Sequence, residues 1–260
     1  MLTHLFDYRL YITRAALNDI RFRYAGMSLG VFWYLIHPAM TVGVYAAVFS
    51  GLIVANPAFN PGAPVVLYLC LGLIPWLSFT ESLLHGSDAI PQHRLYLRRI
   101  SLPPEIFVAK NVMSTAAGLG ISVVLVLLLS LLFGQQPTWS WTLVPVIALL
   151  FQLLAFGMAL TLATLRVLVH DVGELLRAIL HLWTWTLPIV YPESLVPEQI
   201  RPWLLLNPPY AFIRSIRAAV LEGTAPSIEL WASMLGWVAV TLLLGAMVMK
   251  RSRSRIKDSV

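Results

Sequence analysis

The sequence predicts an all-α polytopic membrane protein: six transmembrane helices, an amphipathic N-terminal helix in the membrane interface, and re-entrant helices on the outer side before the last span. Three observations carry this. The 260 residues are 58% hydrophobic and 12% charged, with a mean hydropathy of +0.78, whereas a soluble domain carries about 25% charged residues. So little polar surface cannot coat a globule in water. Apolar runs near the roughly 20 residues that cross a bilayer recur six times. Lys and Arg concentrate in alternate connections between those runs.

Residues 1–32 read as a cytoplasmic interface segment. Asp7, Arg9, Arg14, Asp19, Arg21 and Arg23 leave no apolar stretch for a signal peptide. Leu2, Phe6, Leu10, Leu17 and Ile20 recur at helical spacing and form one apolar stripe. Arg9, Arg14 and Arg21 border it, where their stems lie on lipid and their heads reach water. Tyr11 and Phe22 fall on the polar side, so a plain solvated extension is the competing reading.

Residues 33–250 form one membrane domain, and 251–260 a basic tail. The expected spans are 33–54, 65–85, 107–133, 141–165, 175–191 and 230–249. The fifth is the shortest and contains Pro188; 121–133 and 141–165 hold no charged residue. Arg9, Arg14, Arg21 and Arg23, then Arg94, Arg98, Arg99 and Lys110, then Arg166 and Arg177, then Lys250, Arg251, Arg253, Arg255 and Lys257 fall on one side. Only Arg201, Arg214 and Arg217 fall on the other. The positive-inside rule therefore puts both termini and the loop 92–105 in the cytoplasm. The connection 192–229 is cut by Pro192, Pro197, Pro202, Pro208 and Pro209, and its stretches 203–206 and 211–221 are apolar enough to dip into the bilayer.

Several chemistries find no support. Lys110, Lys250 and Lys257 complete no phosphate-binding loop, and no HExxH or paired CxxC occurs. Cys70 is the single cysteine and reads as packing. The net charge of +6 is spread between apolar runs rather than gathered on a solvated face, which argues against nucleic acid. His170-Asp171 is either a membrane-embedded transferase centre acting on polyprenyl-linked sugars or a charged turn with Asp171 near a helix N-terminus. Glu81 and His85 share a helical face, which fits either a simple structural pair or functional charges within the membrane; His181 is the remaining ionisable group away from the span ends. Tyr45, Phe49, Trp183 and Trp185 fit two readings, an aromatic belt or a wall over which sugar rings slide.

Five segments taken in order resemble a known family: RYAGMSLGVFWYLIHP (23–38), LGLIPWLSFTESL (71–83), LRRISLPPEIF (97–107), VHDVGELLRAILHLWTWTLPIVYP (169–192) and LVPEQIRPWLLLNPPYAFIRSIRAAVLEG (195–223). They are similar to the permease subunits of ABC-2 type polysaccharide exporters, which export O-antigen, teichoic acid or capsule. The chain departs from the family's usual residues at Ala25-Gly26-Met27, at His37 and at His170.

The resemblance implies a homodimer in the bacterial inner membrane, working with two separate ATPase subunits that hold ATP and magnesium, so that this chain needs no cofactor. It implies a lipid-linked polysaccharide as cargo, O-antigen first and capsular polysaccharide next. It makes 92–105 a coupling helix, with Arg94, Tyr96, Arg98, Arg99, Pro103, Pro104 and Glu105 meeting the ATPase. Two physical facts suit that role: prolines stop a helix, and arginines bond a partner's carboxylates. Anchoring of the arginines to lipid head groups is the alternative. Tyr45, Phe49, Trp183 and Trp185 would line the channel. Arg21 and Arg23 would receive the lipid phosphate, and Arg201, Arg214 and Arg217 would meet phosphate or glycan at the outer mouth. The competing functions are the transferase above and an ABC-2 permease for small lipids or drugs.

Overall fold

The computed structural model describes residues 2–23, 32–55, 63–99, 102–169 and 171–259, and every regular element among them is a helix. A bilayer offers no water to the backbone, so apolar runs close their hydrogen bonds within themselves. The helices are α1 (Leu2–Asp7), α2 (Arg9–Arg23), α3 (Trp33–Ala55), α4 (Val65–Ser87), α5 (Ala89–Gln92), α6 (Arg94–Arg99), α7 (Pro104–Leu132), α8 (Val144–Leu168), α9 (Val172–Thr186), α10 (Pro208–Arg217) and α11 (Ile228–Ser259). Prolines mark the starts: Pro103 is extended and Pro104 opens α7, and Pro208-Pro209 open α10.

Among the described residues, α4, α7, α8 with the short 3₁₀ turn before it, and α11 have the length and apolarity to cross a membrane. Helix α3 has 23 residues, about 34 Å at 1.5 Å per residue, against a hydrocarbon core of about 30 Å. The expected fifth span is shorter than the sequence reading: α9 has 15 residues and stops at Thr186, about 22 Å of helix. Pro188 is the reason, since the residue before a proline is pushed out of helical conformation, and Leu187 is extended. Leu187, Pro188, Ile189 and Val190 then run buried as non-helical chain. The last span and the tail, expected as separate units, are one continuous helix of 32 residues.

Helix α4 is the centre, packed on α3, α7, α8 and α10. An aromatic stack runs through the core: Trp76 on Phe79, Phe79 on Phe151 at 4.6 Å between centroids, and Phe151 on Phe212 at 4.8 Å. Nearby, the Gln152 amide donates to the Val112 carbonyl at 2.7 Å and to Ser82 at 2.9 Å, and Ser82 meets Thr115 at 2.7 Å. That buried polar cluster stitches α4, α7 and α8 together with its groups satisfied.

Helices α8 and α11 approach through glycines. A Cβ on Gly157 would lie 2.7 Å from the Leu242 nitrogen, and one on Gly245 would lie 2.5 Å from the Gly157 oxygen. Small residues permit this backbone proximity, which is what packs helices in lipid.

Helix α2 lies against α7 through Ile12 and Ala16, both buried. The stripe read from the sequence is not this packed face. Phe6, Leu10 and Leu17 are exposed.

Candidate functional site

The loop 92–105 hangs between two charged anchors. At its start the His93 ring stacks on Phe107 at 4.7 Å. Its Nδ1–H donates to the Ala89 carbonyl at 2.8 Å, which leaves Nε2 to accept from the Lys110 ammonium at 3.2 Å. Lys110, nearly buried on α7, also pairs with Asp19 of α2 at 2.7 Å. Burial holds the His93 pKa below its ordinary value, and the neighbouring Lys110 charge adds to that. One helix turn before the loop, Asp88 pairs with Arg166 of α8 at 2.6 Å.

The second anchor corrects an expectation. Glu105, read as a contact for an ATPase, is fully buried at the N-terminus of α7. Arg253 of α11 donates to its Oε1, and His4 of α1 lies 3.0 Å from the same oxygen. The carboxylate therefore ties both ends of the chain to the base of the loop. A helix N-terminus is a favourable place for its charge.

Between the anchors α6 projects outward. Tyr96 is 60% exposed and Arg94 is exposed, while Leu97 turns towards the core. Arg98 and Arg99 end the helix, and their side chains lie outside the described set. Arg21 is exposed on α2; the side chain of Arg23 likewise lies outside the described set, as does His170.

At the opposite end of α4, the three arginines expected at an outer mouth are committed within the chain. Arg217 is buried, its guanidinium 3.6 Å from the centre of the Tyr68 ring. It donates to the Pro188 carbonyl at 2.5 Å, the Ile189 carbonyl at 2.7 Å and the Tyr68 hydroxyl at 2.8 Å. It thus satisfies the non-helical chain after α9, which has no ladder of its own. Arg214 bridges Glu193 at 3.3 Å and Glu222 at 2.6 Å. Tyr210 donates to Glu193; burial, then that bond, pushes its phenol pKa up and keeps it a donor. Arg201 donates to the carbonyls of Val196 and Ser194, both at 2.9 Å. Beside this network opens a cavity of about 350 Å³ bounded by Pro64, Gln135, Glu193, Arg214, Leu221 and Glu222 among others.

The aromatics divide. Trp183 sits half-buried at the edge of the core stack, 5.9 Å from Trp76, its indole N–H donating to Asn207 at 2.7 Å. Tyr45 and Phe49 stand 6.4 Å apart on α3, both half-buried. Trp185 is half exposed, on a stripe with Leu175, Ile179 and Leu182.

Residues 15–221 match the ABC-2 type transporter family. The chain belongs to that family. It is 27% identical over 264 residues to the O-antigen export system permease protein RfbA of Myxococcus xanthus, covering all of this chain and 99% of that one. It is 24% identical over 225 residues to a protein of the same name from Klebsiella pneumoniae, covering 86% and 83% of the two chains. ABC-2 membership makes it the membrane part of an ATP-driven transporter with an ATPase partner, a transporter rather than an enzyme.

Reading this ABC-2 chain from sequence missed the anchors. The sequence reading counts Lys110 and Arg253 among the charges of one membrane side and gives His4 no role. Their partners lie 91 to 249 positions away along the chain, from Lys110 with Asp19 to Arg253 with His4, and only the fold brings them together. Glu81 and His85 do approach, at 4.0 Å, as their spacing implied.

Proposed function

We propose that the chain is the permease subunit of an exporter carrying a lipid-linked polysaccharide of O-antigen type across the bacterial inner membrane. The observation that carries this is the end-to-end similarity to the Myxococcus xanthus O-antigen export permease. Both termini face the cytoplasm, as the distribution of Lys and Arg requires. ATP and magnesium are held by two separate ATPase subunits, since none of the three lysines completes a phosphate loop.

Two copies pair, and the polymer passes between them. The exposed apolar stripes of α3 (Met40, Val44, Val48) and α9 (Leu175, Ile179, Leu182) give surfaces for pairing and for the channel wall. Tyr45, Phe49 and Trp185 offer ring faces to passing sugars, while Trp183 supports them from the core. Arg21 and Arg23 meet the lipid phosphate at the inner face. Helix α6 docks into the ATPase through Arg94, Tyr96, Arg98 and Arg99. Pro103 and Pro104 end the loop rigidly, and Glu105 sits behind it as an anchor. When the ATPase subunits close, the push on α6 reaches α2, α7 and α11 through Asp19, Lys110, Glu105 and Arg253.

The test is co-expression of the tagged chain with an ATPase subunit, followed by co-purification and measurement of polymer reaching the cell surface. Arg98→Glu with Arg99→Glu is expected to abolish ATP-driven export while the permease still inserts. Export untouched by that double reversal sinks the coupling assignment. A purified permease that moves or modifies glycolipid with no ATPase present sinks the exporter reading.

A further inference from the structure

We infer that the cavity at the outer end of α4 is a binding site for neutral sugar units, a step that rests on the exporter reading above. Its volume of about 350 Å³ falls in the range of small-ligand sites, roughly 300–1,000 Å³. Four separate stretches of chain build it: the start of α4, the α7–α8 connection, the segment after α9, and the end of α10 with the turn beyond. Because α10 and α4 are locked by Arg217 on Tyr68, the walls are held by the fold rather than by one mobile loop.

The chemistry selects the ligand. Arg214 and Arg217 bring two positive charges, and Glu193 and Glu222 bring two negative ones. Arg214 is spent on both carboxylates, and Arg217 on Tyr68 and backbone carbonyls. The two guanidinium charges are balanced by the two carboxylates in the same lining, so a phosphate or uronate finds no net attraction. The carboxylates keep acceptor lone pairs beyond those that Arg214 and Tyr210 use. The half-buried Gln135 side chain has no hydrogen bond to another described residue, and its amide supplies two donors and an acceptor. Pro64 and Leu221 supply apolar wall. Hydroxyl donors and acceptors around a ring with apolar C–H faces match that lining.

The placement has a consequence for transport. Tyr68 and Pro64 stand at the start of α4, and the coupling segment follows its end. One continuous helix of 23 residues, with Pro75 inside it, thus joins the sugar site to the ATPase side, over about 34 Å. A sugar held at the outer end resists backsliding between power strokes.

The experiment uses the full transporter, permease with its ATPase subunits, in nanodiscs. Saturation-transfer NMR is recorded with maltotetraose as the neutral probe, and with oligogalacturonate and inorganic phosphate as competitors. The expected result is transfer to maltotetraose that neither competitor displaces. Gln135→Ala is expected to weaken it between about twofold and tenfold, the worth of one hydrogen bond, and Ala63→Trp to abolish it by filling the cavity. Absence of transfer, transfer unchanged in Gln135→Ala, or displacement by phosphate or oligogalacturonate overturns the site. Gln135→Ala decides the matter if Ala63→Trp fails to assemble. Polymer export is read in parallel with the unmodified transporter. Export without saccharide binding sinks this site alone, whereas loss of export and of the ATPase complex sinks the exporter reading itself.

Discussion

Arg253, in the last part of α11, donates to the buried carboxylate of Glu105 at the start of α7, 148 positions earlier in the chain. His4 reaches the same oxygen from the other terminus. Removing one partner of a buried ion pair strands the other charge and costs about 3–5 kcal/mol. Arg253 is partly exposed, so Glu105→Ala is expected near the lower end, while Arg253→Met alone leaves the carboxylate buried and costs more than the double substitution Glu105→Gln with Arg253→Met. Thermal unfolding in detergent, followed by tryptophan fluorescence, checks the order. Equal midpoints for all three variants contradict it.

The glycine contact between α8 and α11 makes a sharp contrast with another glycine. Gly157→Ala sets a methyl 2.7 Å from the Leu242 backbone nitrogen, and backbone cannot step aside as a side chain can. Overpacking of this kind costs about 1–3 kcal/mol. Gly43 of α3 has nothing within 4 Å of an added Cβ, so Gly43→Ala is expected to be neutral or to gain up to about 1 kcal/mol of helix propensity. Comparing the two melting midpoints tests the packing directly.

Gly72 serves Arg217. A Cβ there would sit 2.5 Å from the guanidinium Nη2, so Gly72→Ala is expected to displace Arg217 from the carbonyls of Pro188 and Ile189. Arg217→Lys keeps the charge but loses the planar fork that serves several acceptors at once. Both variants are expected to raise protease cleavage within 187–193, measured by limited proteolysis and mass spectrometry. Cleavage at the parent rate in both would remove the argument that Arg217 holds this segment.

Attachment of the segment 92–99 to the body of the protein is expected to depend on pH through His93. Its pKa is lowered in the fold because burial disfavours the charged ring. The detached loop therefore binds the proton more readily than the attached one. Attachment is at full strength above the ordinary value of 6.5 and weakens as pH falls below it towards the depressed value. Lys110 on one side opposes the imidazolium and Asp19 beyond it partly offsets that. Hydrogen exchange of 92–99, corrected for intrinsic rates, is expected to be faster at about pH 5.5 than at about pH 7.5. His93→Gln, which cannot titrate, is expected to flatten that difference; an undiminished difference in the variant assigns it elsewhere.

The helices of this protein were legible without a structure because their cause is local. Runs of leucine, valine and alanine in a solvent that offers no hydrogen bonds have one way to satisfy their backbone, and Pro103-Pro104 and Pro208-Pro209 mark where helices begin. The family, too, was readable from five ordered segments, and the match over 15–221 agrees. What the charges do was not legible. Arg201, Arg214 and Arg217 look alike in sequence, yet each is spent on partners set by how the chain after α9 folds back on α4. Glu105 looks like part of an exposed basic loop and is an internal tie. Which face of α2 packs against the protein also came only from the fold, because the periodicity of apolar residues reports a stripe and not what covers it. Hydrophobicity acts through area and is nearly directionless, so composition reveals it; ion pairs and close glycine contacts need particular atoms within a few ångströms, and only tertiary structure brings residues so far apart in the chain to that distance.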